Sequence, residues 1–127
     1  MIRAIARPLL AGIFVTSGLD ILQSPASRAK TATPVVDWVA ERVPISPKDP
    51  ETAVTLNGLV HLGAGSTMAL GILPRLSALA LAISLLPTTA AGHRFWEIAD
   101  PQQRRMQRTQ FLKNAAILGG LLIVALD

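Results

Sequence analysis

The sequence contains no cysteine, and charged residues make up only 16% of its 127 positions. Without cysteine the chain cannot form a disulfide, carry out dithiol chemistry or hold an iron–sulfur cluster through its own thiolates. Gly-rich phosphate loops, zinc-spaced Cys/His sets and nucleophile elbows are also missing, so we predict no metal site and can name no catalytic residue. Any redox role therefore requires a partner protein or a bound cofactor.

Basic residues outnumber acidic ones by 12 to 8, which gives a net charge of +4. A basic excess can serve nucleic-acid binding, but here the basic residues lie in the connections between apolar stretches, where anionic lipid headgroups attract Lys and Arg. We therefore predict contact with a lipid bilayer and no nucleic-acid partner.

Four apolar stretches are what the sequence has in abundance, at residues 5–22, 52–73, 76–92 and 111–126. Each is close to the roughly 17 to 25 residues that a helix needs to cross a bilayer. A soluble all-α bundle is the alternative, but its helices would carry a charged stripe, and residues 76–92 contain no charge. The sequence predicts an all-α, membrane-embedded antiparallel four-helix bundle that forms a single domain over residues 1–127.

The connections have distinct patterns. Residues 23–51 contain five prolines, which interrupt a long helix. Within them, Thr33 as a cap, Pro34 at the first helical position and valines at helical spacing predict a short interfacial helix over residues 33–43, anchored by Trp38; a loop with one helical turn is the alternative. Little more than Pro74-Arg75 separates the second and third spans, which predicts an antiparallel hairpin.

The distribution of basic residues predicts an orientation. Four spans place both chain ends and the Pro74-Arg75 turn on one side, which carries three basic residues, whereas the long connections carry nine. The positive-inside rule then places the long connections in the cytoplasm, although Arg3 and Arg7 beside the first span favour the reverse. The same Arg3 and Arg7 before an apolar run resemble a signal peptide, but the run extends to Leu22 without a clear cleavage site, so we interpret it as a retained span.

Polar residues in or beside the spans are the candidate functional residues, because polar groups at membrane depth are costly and point inward. We predict that most of them form a half-buried polar cup near the long connections, with Asp20 paired to Lys113 or Arg94. The cup is either a ligand site or a structural clasp. The candidates are Asp20, Asn57, His61, His93, Arg94, Trp96, Lys113 and Asn114.

His61 lies near the middle of the second span, at four-residue spacing from Asn57 and Gly65. Its imidazole could relay protons, ligate a metal or haem, hydrogen-bond a quinone, or simply donate to a carbonyl of a neighbouring helix. A haem held by His61 and His93 is disfavoured because the two differ in depth by roughly 10 Å. Small residues at the same spacing, Gly63, Thr67 and Gly71, predict a packing face.

Two blocks of sequence, His93-Arg94-Phe95-Trp96 and Phe111-Leu112-Lys113-Asn114, closely resemble the DoxX family of small four-span bacterial membrane proteins, in its actinobacterial type. Shorter pieces at residues 7–11, 18–20 and 71–79 extend the resemblance over essentially the whole chain. The resemblance implies a four-helix bundle in the bacterial inner (plasma) membrane. The family takes its name from a likeness to a subunit of thiosulfate:quinone oxidoreductase. In the family that the chain resembles, many members carry Glu or Gln at the position of His61. Any role of a Glu carboxylate at that position therefore does not carry over to this chain.

The resemblance also implies partners. Some mycobacterial members of the family are linked to a membrane-associated oxidoreductase complex with superoxide dismutase and a sulfurtransferase, which serves oxidative-stress and thiol homeostasis. By resemblance, the expected partners are soluble redox proteins of these types, with quinone as an optional cofactor and a homo-oligomer left open.

Three functions compete. The first is a membrane subunit that anchors soluble redox partners through the basic residues Arg104, Arg105 and Arg108, for which headgroup attraction is the plainer explanation. The second is an oxidoreductase subunit that passes electrons from a small sulfur anion, held by Arg94 and Lys113, to a quinone facing His61. The third is a small-solute carrier, indicated only by the polar cup and by Pro87 within the third span.

Overall fold

The computed structural model describes residues 1–127 and contains helices but no strands. The helices are α1 (Ile2–Gln23), α2 (Pro25–Arg42), α3 (Pro50–Ala69), α4 (Pro74–Gly92) and α5 (Pro101–Leu126), with one 3₁₀ turn at Phe95–Glu97. The all-α class is therefore confirmed.

Four of the nine prolines lie at the start of a helix. Helices α2 to α5 each begin with proline in the first turn, where the missing N–H has no intrahelical acceptor anyway. Asp49 and Asp100 cap α3 and α5 by accepting the backbone N–H groups of Thr52, at 3.0 Å, and Gln103, at 3.2 Å. An Asp-Pro pair is thus the start signal for two of the long helices.

Two predicted boundaries are wrong for this reason. Helix α2 begins at Pro25 and runs for 18 residues through Pro34, whereas we predicted a short helix over residues 33–43. Helix α5 begins at Pro101, ten residues before the apolar stretch, so Arg104, Arg105 and Arg108 lie on its first turns rather than in a loop. Hydropathy identifies the apolar part of a helix, whereas a proline or a capping residue marks its start.

The connection between α3 and α4 is residues 70–73 and not Pro74-Arg75. Helix α3 ends at Ala69 although the sequence stays apolar to Leu73. Gly71 takes a left-handed conformation, with φ of 73°, and its N–H donates to the carbonyl of Met68 at 3.1 Å, an arrangement that ends helices. Because the connection is so short, α3 and α4 are adjacent and antiparallel, as predicted.

Helix α3 is central. It packs against α1, α2 and α4, while α4 also packs against α5 and α2. The wholly buried side chains Phe14, Met68, Leu81 and Leu121 come from α1, α3, α4 and α5 respectively, so these four helices share one core. Helix α2 contributes only Val36 to the buried set and lies outside this core.

The outer surface is apolar. Only 18 of 127 residues are buried, and large apolar side chains such as Leu76, Leu79, Ile83 and Leu86 of α4 are exposed. Three helical stretches are long and apolar enough to cross a membrane, Ile2–Gln23, Pro74–Glu97 and Pro101–Leu126. The 20-residue α3 is not among them, since it contains Asn57, His61 and several small polar residues. The chain is a membrane protein with three such stretches, and the crossing by α3 stays a prediction.

One end of the molecule is closed by an ion pair between the first and last helices. Arg3 contacts the Asp127 carboxylate at 2.8 Å, and Arg75, at the start of α4, donates to the backbone carbonyl of Asp127. The start of α1, the start of α4 and the end of α5 therefore meet at one end, which leaves the long connections at the other.

Candidate functional site

A polar layer, made of Asn57, Ser84, Thr88, Thr89 and Asn114, joins α3, α4 and α5. Asn57 donates from Nδ2 to Thr88 Oγ1 at 2.7 Å and accepts from Ser84 Oγ. Asn114 donates from Nδ2 to Thr89 Oγ1 at 3.0 Å. Since Ser84 and Asn114 are buried, these bonds satisfy groups that water does not reach.

Beyond the polar layer, the end of α4 meets α5 through His93 and an aromatic cluster. His93 Nδ1 lies 2.7 Å from Gln107 Oε1. The rings of Phe95 and Trp96 pack edge-on against Phe111, with centroids 5.5 and 5.8 Å away. His93 and Trp96 therefore contact α5, while Asn114 of α5 bonds to Thr89 of α4 and to neither of them.

A cavity of about 400 Å³, here named the α2–α4 cavity, lies beside the polar layer, between α2, α3 and α4. Its size falls within the range of small-molecule sites, about 300 to 1,000 Å³. Most of its wall is apolar, and no acidic residue lines it. The polar and basic groups at its surface include Asn57, Thr88, His93, Thr31 and Arg28.

His61 lies elsewhere, sealed between α1 and α3 with 1% of its surface exposed. Its Nδ1 is 3.4 Å from Ser17 Oγ, and its ring meets Phe14 edge-on with centroids 5.2 Å apart. Nε2 has no hydrogen-bond partner. The neighbouring group is thus a hydroxyl and not the backbone carbonyl that we considered from the sequence.

Glycines bring α1 and α3 close together around His61. A Cβ added to Gly18 would lie 2.7 Å from the Leu62 nitrogen and 2.8 Å from the Gly58 oxygen. The packing face predicted at Gly63, Thr67 and Gly71 is wrong, because a Cβ on Gly63 would meet nothing within 4 Å and Gly71 belongs to the turn.

Three predicted charged residues do not converge. Asp20 is exposed and makes no ion pair within 4.0 Å. Lys113 is exposed and donates to Gln110 Oε1 at 2.6 Å, and Arg94 contacts Glu97 at 3.6 Å. The predicted pairing of Asp20 with Lys113 or Arg94 is wrong, because Asp20 lies about 200° around α1 from Gly18, which faces α3.

Asn57 and His61 contact different helices, although they are only four residues apart on α3. Asn57 bonds to α4, whereas His61 and Gly65 contact Phe14 of α1. Each four-residue step rotates the side chain by about 40° around a helix, so a short row of such positions reaches two different neighbours. No three His, Cys, Asp or Glu side chains come together in a way that could hold a metal ion.

Sequence reasoning missed the hydrogen-bond partners in the polar layer, Ser84, Thr88 and Thr89, together with Gln107 and the cavity residue Arg28. One signal was available, since two adjacent threonines follow Pro87 inside a span without charge. Hydroxyls in apolar helices bond readily to backbone carbonyls of their own helix, so their presence alone does not reveal a partner.

The basic segment, residues 101–110, is the remaining candidate. Arg104, Arg105 and Arg108 are exposed, and no carboxylate lies within 4.0 Å of any of them. Arg105 alone has a side-chain hydrogen bond, from Nε to the Pro101 carbonyl at 3.4 Å. Their charges are therefore free to meet a partner.

The family model for DoxX matches residues 2–94, from the start of α1 to just beyond α4. Searches of curated proteins and of solved structures gave no match. The matched range includes the glycine contacts, most of the polar layer and all residues around the α2–α4 cavity, and it covers well over half of the 127 residues. This chain belongs to the DoxX family.

Proposed function

We propose that the protein is an integral membrane subunit that anchors soluble redox proteins at the membrane, in a complex that serves oxidative-stress defence. Helices α1, α3, α4 and α5 form an antiparallel membrane bundle, and α2 lies along the interface at the end with the long connections. Support for this placement comes from both tryptophans. Trp38 on α2, stacked with Arg42 at 3.9 Å, and Trp96 are half-exposed, as interfacial tryptophans are.

The observation that carries the docking role is the unpaired charge on the basic segment. Arg104 lies seven residues before Phe111, where the apolar part of α5 begins, which is about 10 Å of helix rise. The headgroup region of a bilayer adds only about 5 to 8 Å on each side of the hydrocarbon. Arg104 and Arg105 thus reach past the headgroups, which favours an acidic soluble protein over lipid as the partner.

The partner supplies the chemistry. The chain has no thiol, so the redox groups belong to soluble proteins of the superoxide dismutase and sulfurtransferase types that the resemblance implies, on the cytoplasmic side. The enzyme alternative has weaker support, because His61 is sealed away from any quinone between α1 and α3, and Lys113 and Arg94 make separate contacts instead of forming an anion site. The solute-carrier alternative has no support beyond Pro87 within α4 and the α2–α4 cavity that Pro87 lines.

Recovery of partners from membranes tests the proposal. A variant with Arg104, Arg105 and Arg108 replaced by Ala should lose the partners that the tagged wild type recovers. Recovery by the wild type should fall as salt rises, since exposed charges are screened over about 8 Å at physiological ionic strength. The matched control replaces Lys30, Arg42 and Lys48 with Ala, which removes equal charge on the same side.

Two results would count against docking by the basic segment. Full partner recovery by the α5 triple variant excludes it directly. Equal loss in both triple variants, together with equally weakened binding to anionic vesicles, would assign the arginines to lipid headgroups instead.

A further inference from the structure

The α2–α4 cavity combines apolar walls with a charge of one sign. Val35, Val36 and Val39 of α2 form one wall, and residues of α3 and α4 form the others. Arg28 reaches the cavity from the first turns of α2, is exposed and has no carboxylate within 4.0 Å. Because no acidic side chain lines the cavity, a ligand that carries negative charge meets attraction without a competing repulsion.

Spare hydrogen-bonding capacity lies at the same cavity. The Asn57 amide has two N–H groups, and only one is used within the protein, by Thr88. The acceptor oxygen of a polar head can thus accept from the remaining Asn57 N–H, which the polar layer already holds in place.

We propose that the α2–α4 cavity binds a single-chain amphipathic anion, a carboxylate of the fatty-acid type, whose head pairs with Arg28 and whose chain lies against the valines of α2. The interfacial placement that we propose for α2 puts its wall of the cavity at the depth where single-chain lipids partition. The binding is independent of the basic segment, so either activity can be lost without the other.

Binding of dodecanoate to the full chain in phosphatidylcholine nanodiscs, by calorimetry at pH 8 with empty nanodiscs subtracted, tests the proposal. We expect saturable binding by the wild type and no saturable binding of methyl dodecanoate. Arg28→Gln should weaken binding about tenfold, the usual size of one charge-assisted hydrogen bond. Lys30→Gln is the matched control, since Lys30 is exposed on the same helix but does not line the cavity, and it should bind normally.

Filling the cavity gives a second test that leaves the charge in place. Ala91→Leu on α4 and Ala32→Leu on α2 each add side-chain volume at the cavity wall, and each should abolish binding while helicity and thermal unfolding stay near those of the wild type. Two separate variants are used so that a folding defect in one does not remove the test.

Several outcomes would overturn the proposal. They are non-saturable partitioning of dodecanoate, equal binding of its methyl ester, unchanged affinity in Arg28→Gln, and unchanged affinity in the well-folded filled variants. Displacement of dodecanoate by a short-chain quinone at lower concentration would assign the cavity to a neutral headgroup instead.

Discussion

The two sides of α3 are held by different means. Toward α1, glycines at positions 18, 58 and 65 allow close contact, and the buried side chain of His61 is incompletely bonded. Toward α4, side chains bond to side chains, as Asn57 does to Thr88 and Thr67 does to Ser77 at 2.7 Å. In lipid, helices associate through close packing or through polar bonds, because burial of apolar surface gains little. One helix here uses both, each on its own side.

Added volume on the α1 side should give the largest effect. Gly18→Val places atoms within 3 Å of the α3 backbone, which cannot move aside as a side chain can. We expect a loss of about 3 kcal/mol or more, at the upper end for overpacked cores, measured by thermal unfolding in detergent. Gly12→Val is the matched control, because a Cβ at Gly12 meets nothing within 4 Å. Similar losses in both variants would refute the close-contact account.

Lost polarity on the α4 side should cost less. Asn57→Leu leaves the buried Ser84 hydroxyl without its Asn57 acceptor, and an unsatisfied buried group costs about 1 to 3 kcal/mol. Adding Ser84→Ala should restore part of the stability, which a double-mutant cycle measures. Strictly additive losses would mean that the hydrogen bonds to Asn57 do not join the helices.

The start of α3 should matter less than either side, because its cap is exposed. The hydrogen bonds from Thr52 lower the pKa of Asp49 below its usual 3.8. A lowered folded-state pKa contributes stability that is present above 3.8 and is lost as the pH falls through the folded value. Asp49→Ala should therefore lower thermal stability at pH 6 and have little effect near pH 2. An Asp49→Ala difference that is independent of pH would argue against the charged cap.

Removal of the unpaired His61 nitrogen on the α1 side should have the smallest effect on stability. His61→Leu deletes a buried nitrogen that has no partner, and replacing such a group with an apolar one of similar size is near neutral or stabilising. We expect thermal unfolding within about 1 kcal/mol of the wild type or slightly above it. A large loss would indicate that Nε2 has a bound partner in the membrane.

Helix content followed from hydropathy, but helix ends did not. The apolar stretches identify four of the five helices, while α2 and the first ten residues of α5 are polar and each begin at a proline. The Asp-Pro pairs at residues 49–50 and 100–101 are readable start signals that hydropathy ignores. The end of α3 is set by Gly71 within an apolar run, where composition is uninformative.

Some residues of the site were predictable from the sequence, but their pairings were not. Asn57, His93 and Asn114 follow from their polarity beside the spans, and all three bond to neighbouring helices. Which residues meet depends on how each helix is rotated about its axis. An error of one position turns a side chain by about 100°, which is why Asp20 was assigned a partner that it does not reach.

The pattern of contacts also implies an order of assembly. Helix α1 packs mainly on α3 and hardly on α2, its neighbour in the chain. During synthesis α1 therefore has no main packing partner until α3 has been made. The ion pair between Arg3 and Asp127 cannot form before residue 127 has been synthesised. An amino-terminal fusion that delays the membrane insertion of α1 should therefore be tolerated. Truncation after α2 should leave α1 without α3, its main packing partner.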